Sequence, residues 1–346
     1  MNPIEHPDSA HRKIGCNVGC RPCAPHLLLR TPMKSFQIAL SRNLRQTLAA
    51  SAVMVFALPG FGQTTDIPMT NPLTVPADMK PPRLAASMEA STVFSSQADY
   101  RNQKRGGSAA SSLALAWNGN LPLSEQWIVP LDVMVQNISL GEVPDTPVPD
   151  AIRTLSLNTG LVFKTREDLM LMGRLGGTLY RTSGLGAKDL GLSAGLMGMW
   201  RYSPAFTYVF GMMFNPDSDR RAFPMIGVNW SINPQLTLSL TLPRPRLTYQ
   251  PNEHWSFHAG ANLNGATFRT SETMGTRLGD ARYNGALGSY RDIRVGGGLA
   301  HAFTSSLSLE AEAGVSVNRE INYQQMREHV RFGPAPYLSL GVKFGF

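Results

Sequence analysis

The sequence predicts an all-β chain: an antiparallel transmembrane up-and-down β-barrel of about 14 strands, with about 12 as the alternative. Three observations predict it. Apolar and polar residues alternate over stretch after stretch, the links between stretches are short and long in turn, and aromatic residues gather at the ends of the apolar face.

In chain order, residues 1–62 stand apart. They carry Arg12, Lys13, Arg21, Arg30, Lys34, Arg42 and Arg45 against Glu5 and Asp8, and so supply most of the formal charge of +8. From Met33 the order is a basic segment, the apolar run 48–58 and the small residues Gly60 and Gly62. That order predicts a cleaved secretory signal peptide over 33–62, since a helix needs about 20 apolar residues to cross a bilayer and this run is shorter. Cleavage would leave Gln63 or Thr64 first, and with no cysteine after the run a lipoprotein anchor is excluded. Residues 1–32 read as a mis-called N-terminal extension, with Met33 the true start. Cys16, Cys20 and Cys23 share a spacing with iron–sulfur radical enzymes, but that chemistry needs a reducing compartment and an α/β barrel, so they read as fortuitous. The Pro-rich stretch 63–82 reads as a periplasmic tail and 83–346 as the barrel.

The barrel region is nearly neutral and has no basic stripe with interleaved aromatics, which argues against nucleic acid. With 42% hydrophobic residues and 32 glycines, half of them inside the periodic stretches, the chain suits strands facing two solvents better than a soluble core.

Fourteen stretches qualify as strands: 84–94, 109–117, 127–136, 151–164, 169–181, 190–202, 205–214, 223–232, 236–242, 246–250, 255–264, 290–303, 307–318 and 336–346. The clearest places Leu307, Leu309, Ala311, Ala313, Val315 and Val317 on one face and Ser308, Glu310, Glu312, Gly314, Ser316 and Asn318 on the other. Short links fall at 166–167, 203–204, 233–234, 251–254 and 304–305, and long ones at 138–150, 182–189, 215–222, 265–289 and 319–335. That is the pattern of periplasmic turns and outer loops. Trp117, Trp127, Trp200, Tyr202, Phe206, Tyr208, Phe214, Trp230, Trp255 and Phe257 supply the interfacial aromatics. The run Gly296-Gly297-Gly298 reads as barrel curvature, because no helix or Lys-Ser/Thr follows it to make a phosphate loop.

The chain ends Ser339-Leu340-Gly341-Val342-Lys343-Phe344-Gly345-Phe346. Ser339, Gly341, Phe344 and Phe346 in that spacing resemble the C-terminal insertion signal of bacterial outer-membrane barrels. It would set Leu338, Leu340, Val342, Phe344 and Phe346 toward lipid. Residues 200–204, 223–230 and 242–249 carry a further likeness, in WRYSP, FPMIGVNW and LPRPRLTY. There the chain resembles an uncharacterised bacterial outer-membrane β-barrel family, a domain of unknown function. The resemblance implies the fold and a Gram-negative outer membrane, and brings no catalytic residue with it.

On the parity set by the apolar face, the lumen receives Asp132, Arg174, Arg201, Asp292, Arg294, Glu310 and Glu312. An arginine facing lipid at mid-depth costs roughly 2–4 kcal/mol, which forces these charges inward. Glu310 and Glu312 share a face, and Arg294 on the preceding strand is expected across from them. Two readings stand: an interior salt-bridge lattice, or a constriction that binds ions or solutes. A hydrolase would need Ser, His and acid gathered together. Of His254, His258, His301 and His329 only His258 comes near a serine on its own face, Ser256, and the pair reads as lumen lining. No histidine spacing suggests a metal and no cofactor is expected. The expected function is a narrow, porin-like pore for passive transport of ions or small solutes, not an enzyme. The alternatives are a structural or adhesive barrel and, remotely, an outer-membrane hydrolase. Expected partners are outer-membrane lipid, periplasmic chaperones and the barrel-assembly machinery.

Overall fold

The computed structural model describes residues 84–181, 189–218 and 221–346. The expected extension, signal peptide and tail, with all three cysteines, lie outside the described residues. What is described is a succession of antiparallel strands: β1 (Leu84–Tyr100), β2 (Gln103–Pro122), β3 (Trp127–Leu140), β4 (Ala151–Lys164), β5 (Leu169–Arg181), β6 (Leu190–Ser203), β7 (Phe206–Phe214), β8 (Ala222–Asn233), β9 (Leu236–Ser239), β10 (Arg246–Tyr249), β11 (Trp255–Arg269), β12 (Leu287–Ala302), β13 (Leu307–Tyr323), β14 (Glu328–Phe332) and β15 (Ala335–Gly345). Each of β1 to β13 pairs with its successor. β14 and β15 lie end to end, both paired to β13 on one side and to β1 on the other, so they form one stave and the ring closes with 14. Closure joins the first and last strands, so neither end of the sheet is left as an open edge in hydrocarbon.

The outer surface follows from alternation. Leu175, Leu192, Leu196, Phe210, Leu338 and Leu340 all point outward and are exposed, and Ile226 is 76% exposed. A continuous apolar surface of this kind is untenable in water and suits acyl chains. At the short-turn end Trp127 stacks on Phe163 at 4.3 Å and Phe206 on Trp230 at 5.3 Å, within a girdle that also holds Trp200, Tyr202, Tyr208, Trp255 and Phe257. Phe214, at the other end of β7, is the exception among the expected girdle residues.

Several expected outer loops are in part strand. β3 runs to Leu140, β11 to Arg269 and β13 to Tyr323, and β14 occupies the middle of what was expected as the last long loop. The period-2 signal fades there because the inner residues change character: Phe268, Tyr290, Ile321, Tyr323, Val330 and Phe332 are buried inside. A register shift between Ile293 and Arg294 leaves Val317 unpaired as a bulge on β13. Beyond it parity flips, so Arg319 points inward, where unbroken alternation would have set it toward lipid.

Two departures from a regular barrel position the interior. The β9–β10 hairpin is short, because Pro243 and Pro245 at its tip lack the N–H groups a ladder needs. The second half of β11 leaves the wall. Gly265 and Thr267, on the face that lower down points to lipid, are buried beside Thr154, Ser156, Thr178 and Tyr180 on the inner faces of β4 and β5.

Candidate functional site: a charge-paired lumen chamber

The half of the barrel toward the short turns holds a chamber of about 440 Å³. Its centre is built on β10, β11 and β13. Arg246 reaches Glu310 at 3.2 Å and Glu312 at 3.4 Å. His258 Nε2 lies 3.1 Å from Glu312, and the Tyr337 hydroxyl donates to the same carboxylate at 2.5 Å. Lys343 Nζ donates to Glu310 at 2.9 Å. Gly298 makes room for this cluster, since a Cβ there would come within 2.7 Å of His258 Nε2. Across the chamber, Arg244 donates to Asn262 at 3.2 Å and stands 3.9 Å from Glu89 on β1.

The structure brings Glu310 and Glu312 together as expected, but corrects their partner. Arg294 does not face them. It donates to Asp292 at 2.7 Å and to Ser91 at 2.9 Å, while Ser316 donates to the other Asp292 oxygen at 2.5 Å. The register sets Glu312 opposite Gly298 and Glu310 opposite Ala300 on β12, four to six residues along from Arg294, so Arg294 and Asp292 form a group of their own, closer to the long loops. Asp132 and Arg174 pair with each other across β4 on the opposite wall. Arg201 keeps inward parity but lies exposed near the short-turn rim, apart from the rest. Arg246, Arg244, Glu89 and Lys343 did not figure among the expected charges, and His258 was expected only as lumen lining.

His258, Glu310 and Glu312 place ligand-type atoms within 4.8 Å of one another. Arg246 already bridges both carboxylates, so a cation there would have to displace a guanidinium. The cluster has the chemistry of a fixed salt-bridge lattice. Ser256 and His258 both line the chamber, and His258 faces these carboxylates.

Above the chamber the long-loop half is filled. Phe268, Tyr283, Tyr290, Tyr323 and Tyr337 join Val93, Ile138 and Ile152 from the facing wall in one buried apolar cluster. Tyr323 spans the interior to donate to the Pro147 carbonyl at 2.5 Å, and buried Arg319 donates to Ser96 at 3.0 Å and lies over the Phe332 ring at 4.5 Å. A short helix α1 (Met274–Leu278) caps this plug, with Met274 inside it. Five of the plug aromatics come from stretches expected as loops or as their margins.

Beyond the apolar band a latch holds the rim shut. Glu328 accepts from Arg101 at 2.5 and 3.0 Å and from Tyr100 at 2.6 Å, and Tyr100 meets Tyr283 at 3.0 Å. The Arg101 hydrogen bonds hold the Glu328 carboxyl down at about 2, below its ordinary 4.5. A carboxyl lowered on folding stabilises at pH above its unfolded value and loses that contribution as pH falls through its folded one. The near-ultraviolet circular dichroism of the Tyr100–Tyr283 pair is therefore expected to stay constant from about pH 8 to about pH 4.5 and to fade toward about pH 2. Glu328→Gln should abolish the fade, and a transition centred near about pH 6 would contradict this account.

Residues 83–345, the whole barrel, match the family model described as Domain of unknown function (DUF6268). The chain belongs to that family. As a DUF6268 barrel it is similar in fold to the COG4313 outer membrane channel from Pseudomonas putida F1, at 11% identity and a TM-score of 0.45, covering 78% of this chain and 99% of that one. It is also similar to a Pseudomonas aeruginosa FadL homologue, at 11% identity and a TM-score of 0.37 over 76% of this chain and 90% of that one. The KdgM porin solved with disordered oligogalacturonate matches at 8% identity and a TM-score of 0.31, over 75% and 99%. These likenesses are weak and concern general fold alone. No curated protein matches the chain.

Proposed function

We propose that this DUF6268 protein is an outer-membrane barrel for passive transport of ions or small solutes, with the lumen chamber as the inner part of the route. One observation carries the reading: a polar chamber of about 440 Å³ opening toward the short turns, inside a wall whose outside is apolar. A barrel built only as a scaffold has no need of such a space. Arg244, Arg246, Arg294 and Lys343 face Glu89, Asp292, Glu310 and Glu312 in or beside the chamber, so the walls favour neither sign of charge strongly. The aromatic plug makes the axial route narrow or closed at rest.

The same reading assigns 1–32 to a mis-called start, 33–62 to a cleaved export signal and 63–82 to a periplasmic tail. Ser339, Gly341, Phe344 and Phe346 form the strand signal read by assembly machinery, so periplasmic chaperones and that machinery are the proposed partners. The Gram-negative setting and the absence of catalysis belong to this proposal too.

Proteoliposomes carrying the folded chain, and others carrying a plug-trimmed variant, test the transport reading. The trimmed barrel is expected to release small ions and sugars, and the intact one to release them more slowly. If neither releases solute faster than empty liposomes, the transport reading is wrong and a structural or adhesive role takes its place.

A further inference from the structure

The wall is incomplete between β8 and β11. Their common neighbour is the β9–β10 hairpin, whose last bonds to the flanking strands are Leu240 N–H to the Val228 carbonyl at 2.8 Å and Leu263 N–H to the Pro243 carbonyl at 3.1 Å. Beyond those points β8 continues over 222–227 paired only to β7, and β11 over 264–269 paired only to β12, among the described residues. The inward turn of β11 widens the gap from the other side.

The gap lies at hydrocarbon depth. The ladder sets Ile226 level with Phe210 and Pro224 with Met212, and Met212 with Leu196. Apolar outward residues continue past that level, with Leu192 and Leu190 on β6 61% and 51% exposed. An unpaired strand edge facing acyl chains is not tolerated at such a depth, whereas one lining a passage is. Behind the gap the inner face of β5 to β8 is also apolar. Met197, Val209 and Met225 are buried there, with Met172, Met199, Met213 and Phe223 packed around them. Methionine is unbranched and adaptable, and repacks readily around a guest.

We propose that this notch is a side port through which an apolar small molecule moves between the bilayer interior and the barrel, with the methionine patch as its yielding inner lining. The port rests on the transport reading and adds a solute class to it. It also accounts for a plug that fills the axial route: a molecule using the notch need not cross the aromatic cluster.

The test places a single cysteine behind the notch, Met225→Cys, or far from it on the chamber-lining face of β2, Ala114→Cys, in a chain whose Cys16, Cys20 and Cys23 are replaced by Ser. Each folded protein, verified by its heat-dependent gel shift, is put into liposomes and exposed to a lipid-soluble pyrenyl maleimide or to a sulfonated, membrane-impermeant one. Met225→Cys is expected to react with the lipid-soluble reagent about tenfold faster than Ala114→Cys, since thiol reaction follows access. Lengthening the hairpin by three strand residues on each side of Leu242-Pro243 should bring the rate down to the control. Equal rates at the two positions overturn the port, as do slow reaction of Met225→Cys with both reagents and an undiminished rate in the folded long-hairpin protein. Solute release reads separately: barrels that leak while the two cysteines label equally retain the transport reading and lose the port.

Discussion

Trimming the aromatic plug is expected to turn a barrel that passes little current into one that conducts in steps several times larger. The variant replaces 271–285 by a short Gly-Ser link and adds Tyr323→Ala, which removes Met274 and Tyr283 with the Tyr323 bridge to Pro147. These side chains fill the space between β11–β13 and the facing wall. Among the described residues the space left between β11 and β3–β6 at that level is only about 20 Å³. Each large aromatic lost from a core costs about 3–5 kcal/mol, so unfolding is the competing outcome. The heat-dependent gel shift separates the two. A folded variant with planar-bilayer traces indistinguishable from the parent would show that something else closes the axis.

Arg246→Leu is expected to destabilise the barrel by about 3 kcal/mol, at the lower end for orphaning a buried charge because the guanidinium is partly solvated. It leaves Glu310 and Glu312 two residues apart on one face, with only Lys343, Tyr337 and His258 to compensate. Replacing all three, as Arg246→Leu with Glu310→Leu and Glu312→Met, should recover most of that loss, since an apolar cluster of similar volume costs little against an ion pair. Urea unfolding followed by tryptophan fluorescence reads both. If the triple variant is no more stable than Arg246→Leu, the lattice is held by packing and not by charge.

Most strands could be read in the sequence because each needs only one face apolar, a demand met within ten residues of chain. β13 shows this from Leu307 to Ser316, where Glu310 and Glu312 face inward as alternation requires. The bulge at Val317 could not be read, since alternation gives no sign of one extra residue until the partner strand is in place. The plug did leave a signal. Phe268, Tyr283, Tyr290, Tyr323 and Phe332 are too many aromatics for solvated loops, and their frequency was a warning that 265–289 and 319–335 fold inward. His258 had a signal as well, in its inward parity opposite Gly298, where a missing side chain leaves room for an imidazole.

By itself the sequence determined that this chain is an antiparallel transmembrane barrel of about 14 staves, with about 12 as the alternative, and which side of most strands meets lipid. Those properties are local: they follow from period 2, from turn residues and from the penalty on charge in hydrocarbon. Only the tertiary structure decided that Arg246 and not Arg294 neutralises the two glutamates, that aromatics fill the long-loop half and that the wall parts beside β8. These depend on curvature and on where β11 turns inward, which bring together residues such as Arg246 and Glu312, 66 positions apart. No spacing along a strand encodes a contact made across a lumen.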